Sequence, residues 1–199
     1  MATLEPSTIA LLSIQLFAIM DPLAAIPTLL DVISTVPQEE SKRLIDKAAL
    51  AIFILLNIFA VVGGYILSLF GISIPAFKTA AGVILMATAI DTLLTGHKPE
   101  KIDVGTYIIV PIATPLIVGP GTMTLLITSA RLYGIPNTLI ASYIAFVATY
   151  IVLRVSKEIA RLVGTTFIHG LGRFMSIIIA SFAVEMVMSG INEYIKSLG

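Results

Sequence analysis

Long uninterrupted apolar runs dominate this chain, in place of the period-two alternation of a half-buried strand or the single apolar stripe of a surface helix. Six runs reach membrane-spanning length, approximately Ile9 to Ser34, Ala48 to Phe70, Ile74 to Leu94, Tyr107 to Ala130, Thr138 to Val155 and Phe174 to Ile191. A hydrocarbon core about 30 Å thick needs roughly 20 apolar residues of helix to cross it. Barrel strands would alternate over short segments, so continuous runs predict helices.

Polar segments separate the spans. Val36 to Lys47 reads as an amphipathic lead-in to the second helix, and Gly96 to Gly105 and Ser156 to Arg173 as polar connections. Gly71 to Ser73 and Arg131 to Asn137 read as tight turns. The pattern leaves no linker, so residues 1–199 are expected to form one transmembrane domain. Lys42, Arg43, Lys47, Lys98, Lys101, Arg154, Lys157, Arg161 and Arg173 cluster at the odd-numbered connections, against Lys78, Arg131 and Lys196 on the other side. The positive-inside rule then makes the odd connections cytoplasmic and places both termini outside the cell membrane. Met1 to Ser7 lacks the basic n-region of a cleaved signal, so the first apolar run is expected to stay in the mature protein.

Composition agrees with that reading. Hydrophobic residues make up 57% of the 199 and charged residues 12%, more apolar surface than a soluble domain of this size can bury. Mean hydropathy is +1.03. Twelve basic and twelve acidic residues balance, so no basic surplus points to nucleic acid, and cysteine is absent.

A self-match links the first and fourth spans. Asp21-Pro22-Leu23-Ala24-Ala25-Ile26-Pro27-Thr28 lies beside Thr114-Pro115-Leu116-Ile117-Val118-Gly119-Pro120-Gly121-Thr122, and both proline pairs stand 93 residues apart (115 − 22 and 120 − 27). The same offset brings the third span onto the sixth, with Lys78 and Asp91 answered by Arg173 and Glu185. One unit thus holds three helices, approximately 8–96 and 105–192, and an odd number of crossings inverts the second copy. The expected fold is all-α membrane, six transmembrane helices in two inverted three-helix repeats.

Each proline removes a backbone donor and disfavours helix in the residue before it. Pro22 with Pro27, and Pro115 with Pro120, are therefore expected to make the first and fourth helices discontinuous. Polar groups freed there must be buried in protein or line a cavity, and breaks matched across inverted halves point to a midplane binding site. The alternative is two ordinary packed helices kinked by proline.

At these residues the chain resembles the MarC family of integral membrane proteins, which includes small neutral amino-acid transporters. The likeness rests on the two proline segments, on Gly82 and Asp91 in the third span, and on the six-span plan. It implies a transporter of glycine or alanine with the two broken helices enclosing the substrate. One departure is visible: Asp21 stands where the family typically has Asn, an ionisable group in place of an amide.

Asp21 is the first candidate for chemistry, since an ionisable side chain at membrane depth is functional by default. It could face a substrate ammonium, coordinate Na⁺ or carry a proton, or it could serve as an N-cap with Pro22 at the first helical position. Thr28, Thr114, Gly119, Gly121 and Thr122 read as hydroxyls and exposed amides lining the site, suited to a carboxylate at half-helix starts near Thr28 and Gly121. Ala24, Ala25 and Val118 would form a small apolar wall. Thr and Gly at such places also mediate plain helix packing. Asp91 and Glu185 are further candidates for ion coupling, or else pair with basic residues or reach the interface. His97 and His169 read as surface residues without a metal partner at ligand spacing.

No Ser/His/Asp constellation, zinc motif or phosphate-cradling loop is present, so no enzyme activity and no cofactor or metal is expected. The sequence predicts a secondary transporter of small neutral amino acids working by alternating access, with H⁺ or Na⁺ as the coupling ion. A channel or passive facilitator for small solutes is the alternative. The expected partners are the amino acid, that ion and the lipid bilayer, and the composition is compatible with a homo-oligomer.

Overall fold

The computed structural model describes residues 4–34, 36–95 and 117–197. Every regular element among them is a helix: α1 (Pro6–Met20), α2 (Ile26–Ser34), α3 (Gln38–Val61), α4 (Gly63–Leu69), α5 (Ile74–Thr95), α6 (Pro120–Tyr133), α7 (Ile135–Arg154), α8 (Ser156–Val163) and α9 (Thr165–Lys196). Four of these, α3, α5, α7 and α9, are long and apolar enough to cross a membrane, and α1 is a shorter apolar helix. Their outward faces carry Leu50, Val83, Ile151 and Ile177, all exposed. Apolar side chains on the outside of long helices mark a protein whose solvent is lipid.

Several boundaries differ from the sequence reading. The lead-in before Lys47 is not a separate segment but the first turns of α3, because Glu39 and Glu40 sit favourably at its N-terminus. The turn expected over Arg131 to Asn137 shrinks to Gly134, whose φ of 83° suits glycine and lets α6 pass directly into α7. The helix that carries the last span begins at Thr165, ahead of Phe174, so positions 169 and 173 lie on α9 and not in a connection. Arg173 is exposed there, and a charge on an open helix face does not end the helix. Lys98, Lys101 and His97 lie outside the described residues.

The main core joins α1, α2, α3, α6 and α7 through Leu16, Met20, Leu29, Ile52, Leu56 and Leu126. A second, smaller core joins α5 to α9 through Ala81, Leu85, Ala183 and Met186. That pair runs antiparallel: Lys78 near the start of α5 meets Glu193 near the end of α9 at 2.9 Å and also donates to Ser189. Glycine permits the close approach. A Cβ on Gly82 would stand 2.8 Å from the Ala183 carbonyl oxygen, and one on Gly190 would stand 2.8 Å from the Pro75 carbonyl oxygen. Small residues that let backbones meet are the main source of helix association where lipid removes the hydrophobic drive.

Gly190→Ala and Gly82→Val should therefore each destabilise the protein by about 1–3 kcal/mol through overpacking against backbone. Gly64→Ala faces open space and should be neutral or stabilise by up to about 1 kcal/mol, as helix propensity alone dictates. Thermal unfolding in detergent measures both signs.

Candidate functional site

The first span is interrupted where the prolines predict. Helix α1 ends at Met20, and Asp21 caps it in the left-handed conformation at φ 40° and ψ 59°. Asp tolerates that region better than most side chains. Four short-range bonds then hold the break. The Asp21 N–H donates to the Phe17 carbonyl (3.1 Å), the Ala24 N–H to Asp21 Oδ1 (3.2 Å), the Ala25 N–H to the Asp21 carbonyl (3.3 Å) and the Ile26 N–H to the Leu23 carbonyl (3.2 Å). Helix resumes at Ile26 with Pro27 in its first turn, where a missing N–H costs nothing. Asp21 thus ends α1 as its C-cap and also makes the bonds expected of an N-cap before Pro22, Oδ1 accepting from Ala24 and the carbonyl from Ala25.

The fourth span is described only from Ile117, so Thr114 and Pro115 lie outside the described residues. Ile117 and Val118 are buried, Gly119 is extended, and α6 begins at Pro120. Gly121 and Thr122 stand in its first turn, where helix geometry leaves N–H groups without intrahelical acceptors. The Thr122 hydroxyl donates to the Ile117 carbonyl (3.0 Å), closing the loop back on itself.

The break after α1 and the start of α6 open onto one cavity of about 360 Å³ between the two cores. Asp21 and Ala24 reach it from the break, and Gly119, Pro120, Gly121 and Thr122 from the start of α6. The opposite wall comes from α5 and α9: Thr88, Thr92 and Leu85 on one, Ser176 and Ile179 on the other. Thr88 and Thr92 are one helical turn apart and therefore share a face. Their positions were not singled out from the sequence, although that spacing of hydroxyls within an apolar run was the available signal. Ser176 is a further lining residue, a lone hydroxyl near the start of the Phe174 to Ile191 run that no repeat or proline marks out.

Other candidates lie elsewhere. Ala25 and Val118 are fully buried in the main core without lining the cavity, and Pro22 is buried beside the break. Thr28 is half-buried on α2 outside the lining, because the half-helix starts two residues earlier than Thr28. Asp91 and Glu185 are exposed and off the cavity. Among the described residues no cluster of acidic or histidine side chains could hold a metal ion.

The site's chemistry follows from its hydrogen bonds. Asp21, 8% exposed, is the one ionisable residue in the described lining. The hydroxyls of Thr88, Thr122 and Ser176 donate to backbone carbonyls of Ile84, Ile117 and Gly172, at 3.0, 3.0 and 2.9 Å. Their hydrogens are committed, and their oxygens keep lone pairs to offer. The walls are otherwise apolar, the usual make-up of a small-molecule site. Gly121 is also a packing point, since a Cβ there would stand 2.9 Å from Ile19 Cγ2 and 3.0 Å from Leu85 Cδ2.

The comparisons with known proteins bear on the whole chain. It is 32% identical over 193 residues to a UPF0056 membrane protein of Pyrococcus abyssi, covering 92% of this chain and 94% of that one. It is 31% identical over 191 residues to a UPF0056 membrane protein of Methanocaldococcus jannaschii, covering 89% and 84%. The UPF0056 membrane protein YvbG of Bacillus subtilis is 30% identical over 195 residues, covering 89% and 91%. No solved structure matches. The sequence profile described as MarC family integral membrane protein matches residues 7–195, and with apolar helices that cross the bilayer several times the chain belongs to that family.

Proposed function

We propose that this protein is a secondary transporter of small neutral amino acids of the glycine or alanine type, working by alternating access in the cell membrane. The observation that carries the reading is the buried carboxylate of Asp21, alone among ionisable groups in the described lining, in a cavity reached by the first helix break and by the start of α6. A carboxylate ringed by hydroxyl oxygens whose hydrogens are already used suits an ammonium group. The first-turn amides of Gly121 and Thr122 suit the carboxylate of the same zwitterion. Water occupies about 30 Å³ per molecule in the liquid, so a cavity of about 360 Å³ accommodates a small amino acid together with several waters.

The reading includes six spans in two inverted repeats. Two arrangements support it: α5 and α9 pair antiparallel, as the third and sixth spans of such repeats must, and α1 packs on α7 while α6 packs on α3. Movement of the α5–α9 pair against the main core would expose the cavity to alternate sides. An H⁺ or Na⁺ gradient supplies uphill drive, with Asp21 the group that binds the coupling ion. Both termini are placed outside.

Four measurements test this. Glycine or alanine at about 100 times its Kd should stabilise purified protein by about 2.7 kcal/mol, visible as a thermal shift of several degrees, while leucine gives none. Labelled glycine should show trans-stimulated counterflow in proteoliposomes, which a channel or passive pore does not. Asp21→Asn should abolish the response of glycine uptake to an imposed pH or Na⁺ gradient while leaving binding measurable, and an undiminished response removes Asp21 from coupling. Gly121→Val, which pushes Ile19 and Leu85 into the cavity, should weaken binding at least about tenfold, equivalent to about 1.4 kcal/mol.

A further inference from the structure

A second feature lies on the far side of the main core, away from the cavity. Helices α3 and α7 run antiparallel, fixed by Tyr143 Oη donating to Asn57 Oδ1 (2.7 Å) at one level and by Tyr150 Oη donating to Asp46 Oδ1 (2.8 Å) at another. Between these levels the two helices leave an outward-facing groove. Its walls are Ala49, Leu50, Phe53, Phe146 and Tyr150, in a concavity of about 390 Å³. A second concavity of about 360 Å³ lies beside it on α7, lined by Tyr143, Ile144 and Val147, and the Phe53–Tyr143 stack stands between the two. Phe53 stacks on Tyr143 with centroids 5.3 Å apart and tilts against Phe146 at 5.4 Å, so the floor is rigid and aromatic.

One end of the groove is cationic. Arg154 bonds Asp46 Oδ1 at 3.0 Å and lies 5.9 Å from the Tyr150 ring centroid, which fixes its position. Lys42 and Arg43 stand a turn before Asp46 on the same face of α3, both exposed. Lys157 and Arg161 follow on α8, which begins directly after α7. Asp46 is matched to Arg154, and Glu39 and Glu158 offset part of this charge. Lys42 and Arg43 form no ion pair among the described residues.

The dimensions identify the occupant. From Asp46 to Asn57 the helix advances roughly 16 Å at about 1.5 Å per residue. That is close to the thickness of one leaflet, half of a core about 30 Å thick. An apolar aromatic trough one leaflet long with basic residues at its outer end complements one molecule: an anionic phospholipid, acyl chain along the groove and phosphate at the cations. We propose that the α3/α7 groove is a binding site for an anionic phospholipid, held by Lys42, Arg43 and Arg154 at the head and by Leu50, Phe53 and Val147 along the chain. This site is separate from the cavity and does not depend on what the protein transports.

The test uses the purified full chain in neutral detergent, with thermal unfolding as the readout. Dioleoylphosphatidylglycerol should raise the unfolding temperature by several degrees at concentrations where dioleoylphosphatidylcholine does not. Lys42→Gln with Arg43→Gln should weaken the phosphatidylglycerol effect by roughly tenfold to thirtyfold in concentration, because each basic residue near an anionic surface contributes substantially. Its stability without lipid should be unchanged, since both positions are exposed. Leu50→Trp with Val147→Trp fills the trough at positions that are 59% and 53% exposed, and should abolish the effect while the protein still folds. Equal shifts from the two lipids, an undiminished phosphatidylglycerol effect in either double variant, or an equal shift from soluble glycerol phosphate would each overturn the proposal.

Discussion

Backbone polarity inside a bilayer is the constraint on which this architecture turns. Lipid offers no hydrogen bonds, so a helix that stops at membrane depth must find partners for every N–H and C=O it releases. At the first break the chain supplies several of them itself. Asp21 takes the left-handed conformation, donates back to Phe17, and accepts from Ala24 with its side chain and from Ala25 with its carbonyl. These bonds hold the turn in shape inside an apolar core. The turn also delivers one carboxylate to the cavity as a direct product of its own stabilisation.

The surrounding helices explain why the turn stays protein-facing. Leu16 and Met20 before it, and Leu29 and Ile33 after it, are all buried in the main core, which anchors both half-helices. The tight α5–α9 pair stands across the cavity, with its own small core. Neither core alone encloses the space, and Gly121 stands between Ile19 and Leu85, with no room for a Cβ unless a neighbour shifts. A site between two separately packed bodies can change shape by moving one body relative to the other, without disrupting either interior.

Much of this was legible in the sequence. The apolar runs located the long helices, and Pro22 with Pro27 located the first interruption, because proline constrains backbone regardless of tertiary context. The cap was legible in part. Asp before Pro predicts the N-cap bonds that Asp21 makes to Ala24 and Ala25, whereas only the packing of Leu16 and Met20 carries α1 right up to the aspartate. Thr28 was placed one face away from the cavity for a related reason: the half-helix resumes at Ile26, and a shift of two residues turns a helical side chain by about 200°. Thr88, Thr92 and Ser176 required knowing that α5 and α9 pack on each other through Gly82 and Gly190, a relation between distant segments that no local pattern encodes.

The position of Asp21 within its turn also bears on how a coupling ion and a substrate could share it. One carboxylate oxygen accepts from the Ala24 amide and so helps hold the break in shape. A group that both shapes the backbone and faces the ligand transmits a change in its charge to the turn: neutralising it weakens a charge-assisted bond and relaxes the constraint on a left-handed residue. An amide at the same position could still accept from Ala24 and hold the turn, but it could not change charge. In the transport reading, the aspartate therefore adds ion sensitivity to a structural cap that an asparagine would serve equally well, and the two functions separate at this one side chain.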